Sequence, residues 1–334
     1  MTAPPEALLA VAPARPRSVW RTASFWLVAA AIVLGVFAPL LANDVPLAAR
    51  VRGQWSFPAF ADLFGTPPTG PDDLSWKQWW SRRPANGKDF ALMPPWSFGP
   101  TETDTERFRA PPDALHWLGC DDSGRDVLAR LLHGLSTVVW IGLPAVLLGA
   151  FFGTFAGAWA ALRAGWADVV VLRLIELCVC VPSLLLLIFV GAFFGDSRLA
   201  LVVVMASLFW TSFARIVRGE FLSLRERDFV HVARGLGVPE RRMLSHHLLP
   251  QVKSQVGVTA AFCMASAVVA ESTLSFLGLG PGDAGSSWGT MLRQGGELAV
   301  YGAWHLWLFP TIAIVTVVVA CHMLADRLRA SMTE

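Results

Sequence analysis

The chain predicts an all-α membrane protein with six transmembrane helices, and three observations carry that expectation. Of its 334 residues, 54% are hydrophobic and 16% charged, with a mean hydropathy of +0.51. That balance is too apolar for a water-soluble protein. The apolar residues gather into six runs, at 24–42, 138–162, 169–194, 199–217, 252–276 and 304–324, each long enough to cross ~30 Å of hydrocarbon at about 1.5 Å per residue. The basic residues are unevenly shared between the two sides. Arg15, Arg17 and Arg21 precede the first run, Arg215, Arg218, Arg225, Arg227, Arg234, Arg241, Arg242 and Lys253 cluster around the loop after the fourth, and Arg327 and Arg329 follow the sixth. The short turns on the other side carry only Arg198 and Arg293. This bias places both termini and the 218–251 loop in the cytoplasm.

The same totals exclude other classes. A net charge of +2 does not suit a nucleic-acid binder. The five cysteines contain no CxxC, and Cys178 and Cys180 lie within an apolar run, where small buried hydrophobes are expected rather than a metal or redox site. His246 and His247 are adjacent, so they do not share a helical face as a metal pair would, and no HExxH occurs. GxxxxGK[ST] is also absent, so the chain does not bind ATP through a P-loop.

Taken in order, residues 1–23 are a Pro- and Ala-rich cytoplasmic tail. Residues 24–42 form the first span; the apolar core is long and no A-x-A site follows, which favours an uncleaved anchor over a secretory signal. Residues 43–115 are an extracytoplasmic insertion. They hold half of the 22 prolines together with Trp55, Trp76, Trp79, Trp80 and Trp96, and no long apolar run. So many aromatics argue against disorder and suit a compact pad on the headgroup layer or against a neighbour. Within 116–136, Asp122 or Ser123 can cap a helix whose Val127, Leu128, Leu131 and Leu132 share a face and which Gly134 can end, predicting a short interfacial helix. Cys120, just before it, is the one cysteine expected outside the membrane core. Residues 137–325 supply the remaining five spans, with Pro144, Pro182 and Pro310 tolerated inside them. Residues 326–334 are the cytoplasmic C-terminal tail.

The cytoplasmic stretch from Phe229 to Gln251 is a basic amphipathic island. Phe229, Val232, Ala233 and Leu236 fall on one face of a helix. Gly237 sits where a helix stops in the left-handed conformation, and Pro239 where the next can start. Met243, Leu244 and Leu248 then share a side, with Glu240, Arg241, Arg242 and Ser245 mostly on others. Two short helices bent at Gly237 would form a knuckle with an apolar face for another protein to grip; the alternative is a solvated loop carrying a charge run.

This stretch resembles the cytoplasmic EAA loop of ABC-importer permeases: Ala233, Gly237, Leu249 and Pro250 match its pattern, whereas His231 and Val232 stand where the family has Glu and its first Ala. Further segments, in the family's order from about 116 to 325, resemble the oligopeptide and dipeptide permeases (the OppC/DppC group). Trp117-Leu-Gly-Cys-Asp-Asp-Ser-Gly-Arg-Asp-Val-Leu-Ala-Arg is similar to LGTDxxGRDVxSR, with Cys120 for Thr. Leu172-Arg-Leu-Ile-Glu and the Pro-Ser-Leu-Leu-Leu that follows match another motif, with Glu176 for Asp. Ala214-Arg-Ile-Val-Arg-Gly-Glu leads into the loop. Ala270-Glu-Ser-Thr-Leu-Ser-Phe-Leu-Gly-Leu-Gly and Ser287-Trp-Gly-Thr-Met-Leu match AExxLSFLGLG…SWGxML. The long insertion and the Ala-Arg-Leu-Leu-His-Gly wording look most like the YejE branch.

The resemblance implies the type I ABC-importer permease fold and a permease subunit of a bacterial ATP-driven peptide importer in the inner membrane. The expected partners are a homologous second permease (YejB/OppB/DppB-like), an ABC ATPase of two domains or one fused chain, an extracytoplasmic peptide-binding protein and membrane lipid. ATP and Mg would be bound, and ATP hydrolysed, by the partner ATPase, with no cofactor in this chain. Coupling to the ATPase would fall to Phe229, Val232, Ala233, Leu236, Gly237, Pro239, Arg242, Met243, Leu244 and Pro250.

Three charged residues in the spans are candidate gate or permease-contact groups. Arg173 and Glu176 lie three apart near the inner end of the third span and suit either a rearranging gate or permease contact, or a static pair. Glu271, with Ser272, Thr273 and Ser275 around it near the outer end of the fifth span, suits an external gate or the peptide path, or else a snorkelling carboxylate. Finally, 285–289 fits G-x-S-x-G by letter, in a glycine-rich loop between spans. With His305 and His322 on the last run it keeps open an alternative, a rhomboid-like intramembrane serine protease using Ser287.

Overall fold

The apolar runs fold into a bundle of long helices, with one small sheet between the first two. The computed structural model describes residues 22–63, 70–71, 74–82, 89–163, 165–195, 197–227, 249–280 and 286–333. Helix α1 is Ala23–Leu41. Strands β1 (Ala48–Val51), β2 (Gln54–Ser56) and β3 (Phe90–Leu92) and helices α2 (Pro58–Leu63) and α3 (Trp76–Arg82) follow. The remaining elements are α4 (Val127–Arg163), α5 (Trp166–Cys180), α6 (Ser183–Phe194), α7 (Arg198–Arg225), α8 (Leu249–Phe276), α9 (Trp288–Leu298), a 3-10 turn at Ala299–Tyr301, and α10 (His305–Thr333). Five of these helices are long and apolar enough to cross a membrane, or six spans when α5 and α6 count as one.

Two of the expected elements take another form. The third apolar run is not one rod: α5 and α6 are bent by 73° at Val181 and Pro182. Proline removes an N–H and crowds the preceding turn, and here the helix breaks, whereas Pro39, Pro144 and Pro310 stay inside continuous helices. The separate interfacial helix at 116–136 is also corrected. Residues 116–126 are not helical, and Val127 begins a 37-residue helix that continues into the second span. At 1.5 Å per residue α4 is about 55 Å long, more than a bilayer's ~30 Å core, so its ends stand beyond the hydrocarbon. The cap is Asp126, whose carboxyl accepts the Ala129 N–H at 2.7 Å, not Asp122 or Ser123. Gly134 does not end the helix either; it is buried, and a Cβ there would lie 2.5 Å from the Trp288 ring.

The core lies where α4 runs along α7 and where α8 packs on α10 and α4. Val138, Val139, Val146, Phe213, Met264 and Val268 fill one cluster; Ile141, Leu201, Met205 and Leu274 fill another. Small residues let α4 and α7 approach. A Cβ on Gly153 would come 2.4 Å from the Trp210 carbonyl oxygen, and one on Gly157 2.4 Å from that of Ala214. With Gly149 these form a small-xxx-small row on one face of α4. The insertion is folded, with its own core. The antiparallel sheet, in the order β2-β1-β3, buries Ala49 against Trp76 and Trp79.

Candidate functional site

Three sets of contacts hold the bundle around one cavity. At the end of the bundle that bears the insertion, α4 is anchored by buried charge. The Asp121 carboxyl accepts the backbone N–H groups of Ser123 and Arg125 (both 2.8 Å), the Arg125 Nε at 2.7 Å and the Arg130 guanidinium. Asp126 accepts from Trp96 Nε1 at 2.9 Å and lies 2.7 Å from His116 Nδ1. Charges this buried persist only when paired and hydrogen-bonded. The Cys120-to-Arg130 segment is therefore a lock between insertion and bundle. Cys120 itself, expected outside the membrane core, is fully buried by this packing. Burial pushes its pKa up to about 12.

At the same end, Glu271 of α8 is 1% exposed. Its Oε1 accepts from Ser275 Oγ and Ser287 Oγ, each at 2.8 Å, and Ser272 Oγ lies 3.5 Å from Oε2. Ser287 is the N-cap of α9, accepting the Gly289 N–H at 3.1 Å. A carboxyl beside a helix N-terminus also meets the favourable end of the helix dipole. Trp288 Nε1 donates to the Leu131 carbonyl at 2.9 Å, so α9 is fixed to both α8 and α4. Glu271 is thus an internal clamp and not a snorkelling surface group. Ser287 is committed to that clamp. His305 Nε2 lies 3.1 Å from the Cys120 carbonyl oxygen and His322 Nδ1 2.8 Å from that of Val318. The serine and the histidines of the protease alternative are each engaged elsewhere.

At the other end of the bundle, Asp168 of α5 and Arg218 of α7 form a two-pronged ion pair, with Arg218 Nη2 2.6 Å from Oδ2 and Nε bonded to Oδ1. Arg225 Nη1 donates to the Ala161 carbonyl at 2.7 Å, joining the ends of α7 and α4. Arg173 and Glu176 pair at 2.6 Å but are 73% and 57% exposed on α5, and no described contact joins them to Glu271. The Asp168–Arg218 pair has no local spacing to betray it, because 50 residues separate the partners. Of the coupling residues, only Pro250 is described: it sits exposed in the first turn of α8, a position that tolerates proline. Phe229, Val232, Ala233, Leu236, Gly237, Pro239, Arg242, Met243 and Leu244 lie outside the described residues.

Between these sets lies a cavity of about 590 Å³ at the α5–α6 bend, walled by α7 and α8 and reached by Arg329 of α10. Pro182, Met205 and Phe209 line it alongside Thr211, Thr259 and Ser266. Those three hydroxyls donate to carbonyls of their own helices, at 2.8, 2.8 and 3.1 Å. The wall is therefore apolar with scattered acceptor oxygens, and among the described lining residues Arg329 alone is charged.

The sequence profile described as binding-protein-dependent transport system inner membrane component matches residues 133–333. A Brucella suis protein, proposed by its name to be a permease of a peptide transport system, is 35% identical over 244 residues, covering 72% of this chain and 81% of that one. A Brucella ovis protein similarly named as a peptide permease is 35% identical over 245 residues, with the same coverage of 72% and 81%. The glutathione transport system permease protein GsiD of Pectobacterium atrosepticum is 34% identical over 226 residues, 68% of this chain and 75% of its own.

Proposed function

Since the chain belongs to the family of binding-protein-dependent transport system inner membrane components, and so is a multi-pass ABC transport permease and not a rhomboid-like protease, we propose that it carries peptide across the bacterial inner membrane. The path runs between this chain and a homologous permease, with the α5–α8 cavity as this chain's share of the wall. The names of the peptide and glutathione permeases support that cargo. An extracytoplasmic binding protein delivers the peptide on the insertion side. A partner ATPase on the opposite side binds ATP and Mg and does the hydrolysis.

The observation that carries this reading is the position of the cavity. It is walled by α7 and α8, the two helices that lead into and out of residues 226–248. A partner pushing on the 229–247 stretch moves both walls together. Through Asp168–Arg218 it also moves α5. ATP on one side and loaded binding protein on the other then bias a two-state equilibrium of the wall.

The test is uptake of labelled peptide by vesicles holding both permeases, the ATPase and the binding protein. Ser212→Trp, which fills the cavity, is expected to abolish uptake while the complex still assembles. Leu236→Asp is expected to release the ATPase in a pull-down, since it places a charge in an apolar contact. Undiminished peptide uptake by both variants would refute the proposal.

A further inference from the structure

The insertion carries an apolar surface that neither the transport path nor the coupling loop explains. Strand residues alternate between the faces of a sheet, and the pairing sorts them here. Ala49, opposite Ala91, faces Trp76 and Trp79 in the insertion's core. Arg50 is opposite both Trp55 and Phe90, so these three form one row across the other face. Trp55 is 58% and Phe90 47% exposed, and the two rings meet edge-on at 6.5 Å. The Arg50 guanidinium lies over the Trp55 ring at 5.9 Å. Among the described residues nothing covers this row. A water-facing sheet surface would carry polar side chains instead.

Helix α2 follows β2 directly and packs against α1. The Ala59 N–H donates to the carbonyl of Pro46, just beyond the end of α1, at 3.2 Å. Phe57 and Phe60 are exposed beside that junction, and Phe37, near the same end of α1, is exposed on a membrane-spanning helix. The insertion's aromatic surface therefore begins where the lipid-facing surface of a span ends.

We infer that the Trp55–Arg50–Phe90 face, with Phe57 and Phe60, rests in the headgroup–acyl boundary of the adjoining leaflet. Its occupant is an anionic lipid surface. Aromatic rings are at home at this depth, and Arg50, held over Trp55, reaches lipid phosphate from the same face. The insertion is in this sense a monotopic foot that fixes the tilt of α1 and the height of the Asp121–Arg130 lock.

The experiment uses the full chain in vesicles of phosphatidylethanolamine and phosphatidylglycerol, with an environment-sensitive fluorophore at Phe60→Cys or Phe90→Cys. The background is Cys178→Ser with Cys180→Ser, because the other three cysteines are buried. Ser81→Cys, exposed on α3 behind the opposite face of the sheet, is the control. Emission at positions 60 and 90 is expected to shift to the blue, with quenching by brominated acyl chains about twofold or more above that at position 81. Arg50→Gln is expected to weaken that quenching in phosphatidylglycerol-rich vesicles. Water-like emission at position 90, or shielding that appears only when the binding protein or second permease is added, would overturn the inference.

Discussion

The Oγ of Ser287 donates a 2.8 Å hydrogen bond to Oε1 of Glu271, sixteen residues away and across a helix boundary. Ser287 at the same time caps α9, so one hydroxyl joins the end of α8 to the start of the next helix. Ser287→Ala removes the cap and one of the donors to a buried carboxyl. Each loss costs about 1–2 kcal/mol in other proteins. The solubilised permease complex is expected to melt several degrees lower, while peptide uptake at low temperature survives, because no bond to cargo is lost. Combining Ser287→Ala with Glu271→Ala should cost less than the sum of the two, since the second change removes a partner already lost. Additive losses would show that Glu271 and Ser287 do not act as a unit.

Cys120 supports a prediction in pH. Its thiol is fully buried and its pKa is pushed up to about 12 by burial, from an ordinary value of 9.0. The folded chain therefore keeps a proton that the unfolded chain gives up above pH 9. Stability from this source is complete below pH 9 and is lost as the pH rises from 9 toward 12. A membrane-impermeant maleimide is expected to leave Cys120 unmodified in intact spheroplasts at pH 8, and raising the pH to 9 should not rescue labelling, because thiolate is the reactive form. Rapid labelling at pH 8 without denaturant would show that the Asp121–Arg130 lock opens readily.

What was readable in advance and what was not divides along physical lines. Spans are composition over about 20 residues, so the run at 24–42 matches α1 to within a residue at each end, and those at 199–217 and 252–276 lie inside α7 and α8. Breaks within a run depend on tertiary contact. Pro182 bends its helix by 73° while Pro144 does not interrupt α4, and no local signal separates the two. The 285–289 stretch reads as part of a glycine-rich loop, yet Trp288 and Gly289 open α9, whose start is held by contacts with Glu271 and Leu131. Gly134 looked like a terminator because glycine often ends helices; its actual use is to admit the Trp288 ring. The Gly149, Gly153 and Gly157 row was present as a repeat of four and could have announced the α4–α7 contact.

The pair Asp168 and Arg218 is expected to matter for coupling more than for stability. Both side chains are 23% exposed, and their two-pronged geometry makes the pair stronger than a simple surface contact. Arg218→Gln should free α5 from α7 without disturbing insertion of the spans. In reconstituted vesicles, ATP hydrolysis should then lose its response to loaded binding protein by about fivefold or more, the span of a 1 kcal/mol coupling. Exchanging the charges, with Asp168→Arg and Arg218→Asp together, should restore part of the response. If Arg218→Gln transports like the parent, movement of the loop does not reach α5 by this route.

The α4–α7 contact gives the sharpest structural test. At Gly153 an added Cβ would lie 2.4 Å from the Trp210 carbonyl oxygen, 2.6 Å from Phe213 Cβ and 3.0 Å from the Ala214 nitrogen. Two of these three atoms belong to backbone, which cannot swing aside as a side-chain tip can. Gly153→Ala must therefore push the two helices apart, and overpacking of this kind costs about 1–3 kcal/mol. Gly296 is the matched control. It lies within α9 and a Cβ there meets nothing within 4 Å. Gly296→Ala should be neutral or stabilise by up to about 1 kcal/mol, because alanine has less backbone freedom to lose on folding. Thermal midpoints of the two variants in the same detergent are expected to move in opposite directions or, at the least, only the Gly153 variant should fall. Equal midpoints would mean that α4 and α7 stand further apart in the membrane than the glycine row allows.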